Sequence, residues 1–581
     1  MKNIATVLRL ARQQSVVKQV LTDAAMRGTS AVANYGYAFA PANLALCKYW
    51  GKRDWELNLP VTSSFSISMG MKGTFTLIAH RGKETTTSDT GADASGSLAI
   101  LDTGDMGQDI KQDLYLLNGQ VISPKTSFAR RLHAYLDLFR PNPNTFYVVK
   151  TISTVPVAAG LASSASGYAA LIQALNRLYG WDLSLQQLSI LARLGSGSAC
   201  RSLWHGFAEW HCGSDPDGMD SYATTLVDNF YTNTTCETAD VNSVNTASSC
   251  SWPDLRIGIL FISKQQKIVS SREAMLHTVK TSSFYQTWPT QVAHDLDAIK
   301  QAVVTRNFEL FGSTAEYNSL AMHALMAGAR PPVIYSQPAT LAAMQRVWDL
   351  RRAAIPVFFT QDAGPNLKLL FLASEEVIVT KAFPDIEIIR PFIDIVEEQL
   401  ILVDEHDREI GVAPKMMVHL NGQLHRAFSI LIFRERNKNI EVLLQQRSAD
   451  KYHSADLWTN TCCGHPRFGE DIAVAAHRRL REEMGIVTDL YKIGAFNYCA
   501  KLVSSGLIEH EIDHIFIGTL SASTATLGDS VIKSNVHEVQ DHNWVELNFL
   551  CQDLSLNPIK YTPWLPKVLI KFKQNLMEKY Q

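Results

Sequence analysis

The sequence predicts a mixed α and β chain of several domains, with a new α/β domain opening near Glu398. Its 581 residues make three or four domains at roughly 100–200 residues each. At 46% hydrophobic residues, each has enough apolar side chain to bury a core. A seam at Ile389–Glu398, "IRPFIDIVEE", separates two stretches of strand character. Glu376–Ile389 reads as strand, turn, strand, and Gln399–Gly411 as strand, polar turn, strand. The linker between them is short, which predicts that the two halves pack together.

Composition narrows the partners. The net charge is −2 with no long basic block, which argues against nucleic acid. No run of about 18 apolar residues is present, so no membrane span is expected. Nine cysteines are too few and too scattered for a disulfide framework and predict a reducing, cytoplasmic setting. Met1–Arg27 carries five basic residues against the single acid Asp23, with apolar residues at helical spacing. This predicts an amphipathic helix in an N-terminal extension (1–36), without the Arg/Ser-rich composition or cleavage site of a presequence. The Thr/Asn/Ser-rich stretch from the 220s to Ser251 predicts a surface loop or weak strand.

In the first half, "TVPVAAGLASSASG" (Thr154–Gly167) leads into a helix with Leu171, Leu175 and Leu178 in phase and Gly180 as its C-cap. Small residues let backbone N–H groups approach an anion, and the helix turns its positive end toward it. Taken alone, the pattern serves close helix packing equally well. "PANLALCKYWGKRD" (Pro41–Asp54) sets Lys48 and Lys52 four apart around Tyr49 and Trp50. "GSGSACRSLWHGFAEW" (Gly195–Trp210) is a second small-residue loop, carrying Arg201 after a helix opened by a Ser184/Gln187 capping box. "VFFTQDAGPNLKLL" (Val357–Leu370) reads as a strand ending at Asp362, a Gly-Pro-Asn turn, and a helix.

Jointly and in this order, "KYWGKRD", "GLASSASG", "GSGSACRSL" and "DAGPN" resemble mevalonate diphosphate decarboxylase, of the GHMP kinase superfamily, over Tyr37–Arg390. The resemblance implies an α+β GHMP-kinase-type fold in two subdomains (37–220 and 221–390), using ATP and Mg²⁺. It implies that Asp362 orients or deprotonates the substrate's tertiary alcohol, that Lys48 keeps Asp362 ionised, and that Arg201 grips the carboxylate bidentately. Tyr49, Lys52 and the Ser196, Gly197, Ser198 turn would bind the substrate diphosphate. Gly160, Ser163, Ser164 and Ala165 would take the ATP phosphates and Mg²⁺. "KIVSSREAM" (Lys267–Met275) departs from the family's Ser-Ser-Thr-x-Gly-Met at Arg272 and Ala274.

The second half centres on "TNTCCGHPRFGED" (Thr459–Asp471). His419, His425 and His465, with Glu509 and Glu511 alternating on one strand face, suit a near-octahedral Mn²⁺, Fe²⁺ or Zn²⁺. Adjacent cysteines on extended backbone point opposite ways, so one of Cys462 and Cys463 faces the site and the other the core. Gly464, Glu470, Arg478 and Glu482-Glu483-x-Gly485 follow the Nudix spacing, but Arg479 stands where that box requires Glu. The fold is supported and hydrolysis disfavoured.

With "LHRAFS", "WTNTCCGHP", "EHE" and Pro563–Trp564, this half resembles type I isopentenyl diphosphate isomerase over Glu398–Trp564. The resemblance implies an α/β/α Nudix-like sandwich (398–581). It implies Cys463, Glu511 and Tyr498 as the acid–base set, Glu483 for Mg²⁺ with the diphosphate, and Lys415, Arg447, Lys451 and Arg479 as diphosphate contacts. Trp564 would offer a π-face to a carbocation. Small prenyl diphosphates are then the partners, and a homodimer is left open. The alternative is a small-molecule GHMP kinase without decarboxylation fused to a Nudix hydrolase. Lys48, Asp362 and Arg201 argue against its first part and Arg479 against its second.

Overall fold

The computed structural model describes residues 2–25, 32–81, 112–155, 163–226, 251–392 (without 264, 266 and 268), 398–448, 451, 454–502, 507–520, 532–535 and 538–579. The chain divides near residues 395–396 into two compact units. Among the described residues, no helix is long and apolar enough to cross a membrane.

The first unit opens with a helix, Lys2–Ala25. A seven-stranded sheet follows, organised around the long strand Ser64–His80. That strand pairs antiparallel with Tyr35–Cys47, Tyr147–Ser153 and Phe207–Trp210. Its sequence alternates with period two. Phe65, Ile67 and Met69 enter an apolar core. Ser64 and Ser68 face the other way and accept hydrogen bonds from Arg201 and from the Gly206 N–H. The helices Ser163–Tyr179 and Leu185–Gly195 supply a second core, with Leu171, Leu175, Leu178 and Leu191 fully or almost fully buried. Gly180 (φ +60°) ends the first of these helices, and the Ser184/Gln187 capping box opens the second.

A four-stranded antiparallel sheet follows in the order Phe358–Gln361, Leu367–Leu372, Leu255–Leu260, Glu387–Ile389. The helices Trp288–Val304, Phe308–Ala327 and Pro338–Arg352 accompany it. Two sequence expectations fail here. The segment after the Gly-Pro-Asn turn is a strand, Leu367–Leu372, not a helix. "LKLLFL" is buried along almost its whole length, and an unbroken apolar run carries no period to separate helix from strand. Glu376–Ala382 is a helix rather than a strand, despite its β-branched residues. Packing of Val379 and Ala382 into a core overrides local propensity there. Within the Thr/Asn/Ser-rich stretch, Ala223–Thr225 is a strand, and residues 227–250 lie outside the described residues.

The second unit is a nine-stranded mixed sheet built on His425–Arg436. That strand pairs with Ile508–Thr519 in parallel and with Cys462–Gly464 antiparallel. Gln399–Val403 and Glu409–Pro414 form the expected opening hairpin. The helix Ile472–Met484 carries the Nudix-spaced residues, capped by the Asp471 carboxylate and ended by Gly485 in the left-handed region (φ +68°).

Candidate active sites

In the first unit the antiparallel hairpin decides the geometry. Thr360 pairs with Lys368 across it, so Lys368 returns beside Asp362 at the strand end. Lys368 Nζ lies 3.0 Å from Asp362 Oδ2, and Lys48 Nζ lies 2.8 Å from Oδ1. Both lysines are buried, while the Asp362 side chain keeps 26% of its surface exposed. Burial alone would raise the Asp362 pKa. The two ammoniums reverse this and hold it well below the usual carboxylate range. Lys48 is fixed by donation to the Ala45 carbonyl at 2.7 Å, and its own N–H donates to Asn318 Oδ1 at 2.7 Å. His323 donates to the Asp362 carbonyl at 3.2 Å, and burial followed by the Lys48 charge lowers it to about 4, so it is neutral.

Arg201 is buried within electrostatic reach of Asp362. It donates to Ser64 Oγ and, at 3.4 Å, to Asn43 Oδ1, and its buried Nε has no hydrogen-bond partner among the described residues. The turn before it is held by Asn43, which donates to the Ser198 carbonyl at 3.1 Å. Gly197 lets the turn pass close to the two rings: a Cβ would sit 3.0 Å from Trp210 and 3.2 Å from the Tyr49 hydroxyl. Tyr49 packs edge-on against Trp210 at 4.9 Å. Ser164 Oγ lies 3.5 Å from Ser196 Oγ, which joins the two small-residue segments. Ala165 is fully buried, Ser163 begins its helix, and Gly160 lies outside the described residues. Lys52 donates to Asn58 Oδ1 at 2.6 Å and lies over the Trp55 ring. Burial, then the charges of Arg272 and Arg9, lower its pKa to about 7.

In the second unit, a cleft of about 480 Å³ collects the expected residues. One ligand atom from each of His419, His425, His465 and Glu511 lies within 4.8 Å of all the others. The Nδ1–H groups of His419 and His425 donate to the carbonyls of Lys415 and Gln423 at 2.8 and 2.9 Å. Those bonds fix the tautomer, so each Nε2 turns its lone pair inward. His419 Nε2 is 3.0 Å from Glu509, and the Nε2 atoms of His425 and His465 are 3.5 and 3.4 Å from Glu511. Burial lowers His419 to about 3 and His465 to about 4, leaving both imidazoles neutral. Burial and the neighbouring Glu511 raise Glu509 to about 8. Three clustered imidazoles beside two crowded carboxylates are a donor set that fits a divalent transition metal.

Tyr498 donates to Glu511 Oε2 at 2.7 Å. Cys463 pairs with Ser429 on one edge of the central strand, and Glu511 pairs with His425 on the other. Cys462 is fully buried in the core, while Cys463 lines the cleft and is pushed up to about 12 by burial, so it carries its proton. Trp564 is held by donation to Asn460 at 3.2 Å, with Arg447 over its ring. Arg479 pairs with Glu483, which Gln445 also contacts at 3.0 Å. Lys415 pairs with Glu398 at 2.6 Å, and Lys451 with Glu538.

Family models match three segments: a diphosphomevalonate decarboxylase-like N-terminal domain over residues 40–223, a mevalonate 5-diphosphate decarboxylase C-terminal domain over 257–421, and a NUDIX domain over 423–567. A diphosphomevalonate decarboxylase of Aspergillus fumigatus is 34% identical over 344 residues, 58% of this chain and 77% of that protein. An isopentenyl-diphosphate Delta-isomerase of Photorhabdus laumondii is 45% identical over 185 residues, 32% of this chain and 98% of that protein. The chain belongs to both families. A crystal structure of mevalonate diphosphate decarboxylase from Staphylococcus aureus, 32% identical, covers 61% of this chain and 95% of its own length with a TM-score of 0.50.

Within the decarboxylase half, Asp362, Lys48 and Arg201 come together, and Tyr49 and Ser196–Ser198 line up beside them. Lys368 was not expected, because a helix after the turn would have carried it away from Asp362. Arg272, read in the sequence only as a departure, lies over the same Trp55 ring as Lys52, at 5.9 Å. Within the isomerase half, the acid–base set, the basic residues, His465, Glu483, Glu509 and Glu511 line one cleft, while His419 and His425 are fully buried and join His465 and Glu511 in the ligand cluster. The further residues are Ser429, which donates to Asp513 at 2.8 Å, Glu398, paired with Lys415, and Glu538, paired with Lys451.

Proposed function

We propose that the chain is a bifunctional enzyme of the mevalonate route to isoprenoids. Its first half (37–220 and 221–390) decarboxylates mevalonate 5-diphosphate to isopentenyl diphosphate with ATP and Mg²⁺. Its second half (398–581) isomerises that product to dimethylallyl diphosphate. One observation carries the reading. Each half gathers the groups that its reaction needs: Asp362, Lys48 and Arg201 in the first, and Cys463, Tyr498 and Glu511 beside three histidines in the second.

In the first half, Asp362 is ionised throughout the physiological range and too weakly basic to remove an alcohol proton early. It orients the tertiary hydroxyl and accepts its proton as phosphoryl transfer advances. Lys48 and Lys368 stabilise charge developing at that oxygen. Arg201 holds the substrate carboxylate through planar donors that Lys could not copy. Tyr49, Ser196–Ser198, Lys52 and Arg272 receive the diphosphate, and the Ser163 helix start, with Ser164, receives the ATP phosphates.

In the second half, Cys463 and the Tyr498–Glu511 pair sit on opposite edges of the central strand. That arrangement protonates one face of a double bond and removes a proton from another. Trp564 shields and stabilises the tertiary carbocation between them. A Mn²⁺, Fe²⁺ or Zn²⁺ held by His419, His425, His465, Glu509 and Glu511 would fix Glu511 in its acid–base geometry. Glu483, opposed by Arg479, would hold the Mg²⁺ that accompanies the diphosphate, with Lys415, Arg447 and Lys451 around it.

The test supplies mevalonate 5-diphosphate, ATP, Mg²⁺ and a transition metal. The expected result is CO₂ release followed by the dimethylallyl product, read by NMR. Phosphorylated substrate without CO₂ would identify a kinase instead, and hydrolysis of the diphosphate would identify a Nudix hydrolase.

A further inference from the structure

The helix Lys2–Ala25 lies outside the family-matched segments, which begin at residue 40, yet it is seated in the first unit. Val16, Val17 and Val20 enter the same apolar core as Leu188 and Leu191. On its adjoining face Arg12 pairs with Asp54 at 2.8 Å and Glu56 at 2.7 Å, and Gln13 donates to the Glu56 carbonyl at 2.8 Å. Residue 9 stands one turn before Gln13 on that face. It is therefore carried past Asp54 toward Lys52, at the other end of the short strand Lys52–Asp54.

Arg9 is half-buried there, within electrostatic reach of Lys52, Arg272 and Tyr168. Tyr168 covers Gly195, whose Cβ would fall 2.3 Å from the ring. Gly195 is the residue before the Ser196–Ser198 turn. Lys52 and Arg272 lie over Trp55 at 5.0 and 5.9 Å. Among the described residues, none of Arg9, Lys52 and Arg272 has a carboxylate within ion-pair distance, whereas Arg12, three residues along the helix, has two. Arg9 and Lys52 are partly buried, Arg272 is exposed, and Glu56, the acid in electrostatic reach of Arg9, is already paired with Arg12, so the three cations repel one another until an anion bridges them.

We propose that Arg9 is a substrate-binding residue of the decarboxylase site, closing the cation set of Lys52 and Arg272 around the terminal phosphate of the substrate. A helix outside the family-matched segments thereby contributes to the anion-binding end of the site. This rests on the reading of the site as one for mevalonate 5-diphosphate. A guanidinium suits the task, because its planar fork engages two phosphate oxygens at once.

The test compares Arg9→Ala, Arg9→Lys and Arg12→Ala in the full chain. In Arg9→Ala the KM for mevalonate 5-diphosphate rises roughly ten- to hundred-fold, as expected for a lost charge-assisted contact. Its kcat, KM for ATP and isomerase turnover stay near wild type. Inorganic diphosphate weakens as a competitive inhibitor by a similar factor, and Arg9→Lys recovers part of the loss. An unchanged KM in Arg9→Ala overturns the inference. So does an equal loss in Arg12→Ala accompanied by a lowered melting temperature in both, which would make the helix a packing element only. Wild-type protein that releases no CO₂ overturns the reading of the site itself, and that outcome is visible before any variant is made.

Discussion

In the first unit a carboxylate is surrounded by cations: Asp362 lies between the ammoniums of Lys48 and Lys368, with Arg201 in electrostatic reach. In the second, carboxylates crowd one another: Glu509, Glu511 and Asp513 alternate down one face of a single strand, and all three are buried. The first centre is compensated by its own side chains. The second is relieved only in part, by imidazoles and by a proton on Glu509 near neutral pH. The first carboxylate is thus neutralised by neighbouring side chains, whereas the second group carries an excess of acid that suits the cation proposed for it.

Selective metal removal gives the largest separation of the two. Phenanthroline in excess Mg²⁺ should abolish isomerisation and leave CO₂ release intact, as followed by product NMR and CO₂ capture. Loss of both together would break the comparison. Next come single reacting groups. Asp362→Asn should slow CO₂ release roughly 10³-fold with isomerisation unchanged, and Cys463→Ala should do the reverse by a similar factor.

Lys368→Met sharpens the claim of internal compensation. It should destabilise the first unit by about 2 kcal/mol in a urea melt, below the cost of breaking a fully buried pair, because Asp362 keeps Lys48 and partial solvent contact. The pH dependence of Lys52 is smaller. Its ammonium is lost as pH rises through about 7 in the free enzyme. Decarboxylation kcat/KM should therefore fall above that pH, by up to about tenfold per unit, with kcat flatter because bound diphosphate restores the charge. Lys52→Arg should remove the fall. Smallest is Ser184→Ala, which removes a helix cap ahead of the Arg201 turn. It should cost about 1 kcal/mol of stability without altering KM.

The sequence exposed residues whose chemistry is local. The Ser184/Gln187 box, the Gly180 stop and the opposite facing of Cys462 and Cys463 follow from spacing alone, and the structure has each of them. Lys368 was hidden for a definite reason. Six residues after Asp362, its direction depends on whether the chain coils or doubles back, and the uninterrupted apolar run "LKLLFL" does not say which. Only pairing of Thr360 with Lys368 returns it to the carboxylate. Arg272 was hidden because its meaning depends on Trp55 and Lys52, more than two hundred residues earlier in the sequence. The candidate metal ligands were legible as residue types, but the carbonyl bonds that aim His419 and His425 inward are properties of the folded backbone.

The back-to-back cysteines also set how the second catalyst meets oxidative stress. Cys462 is sealed among apolar side chains and Cys463 opens onto the cleft, so the nearest thiol in sequence is turned away from its neighbour. Burial keeps the Cys463 thiol protonated, which slows its oxidation to a sulfenic acid, and once that acid forms Cys462 cannot resolve it as an internal disulfide. Repair of Cys463 therefore falls to an external reductant.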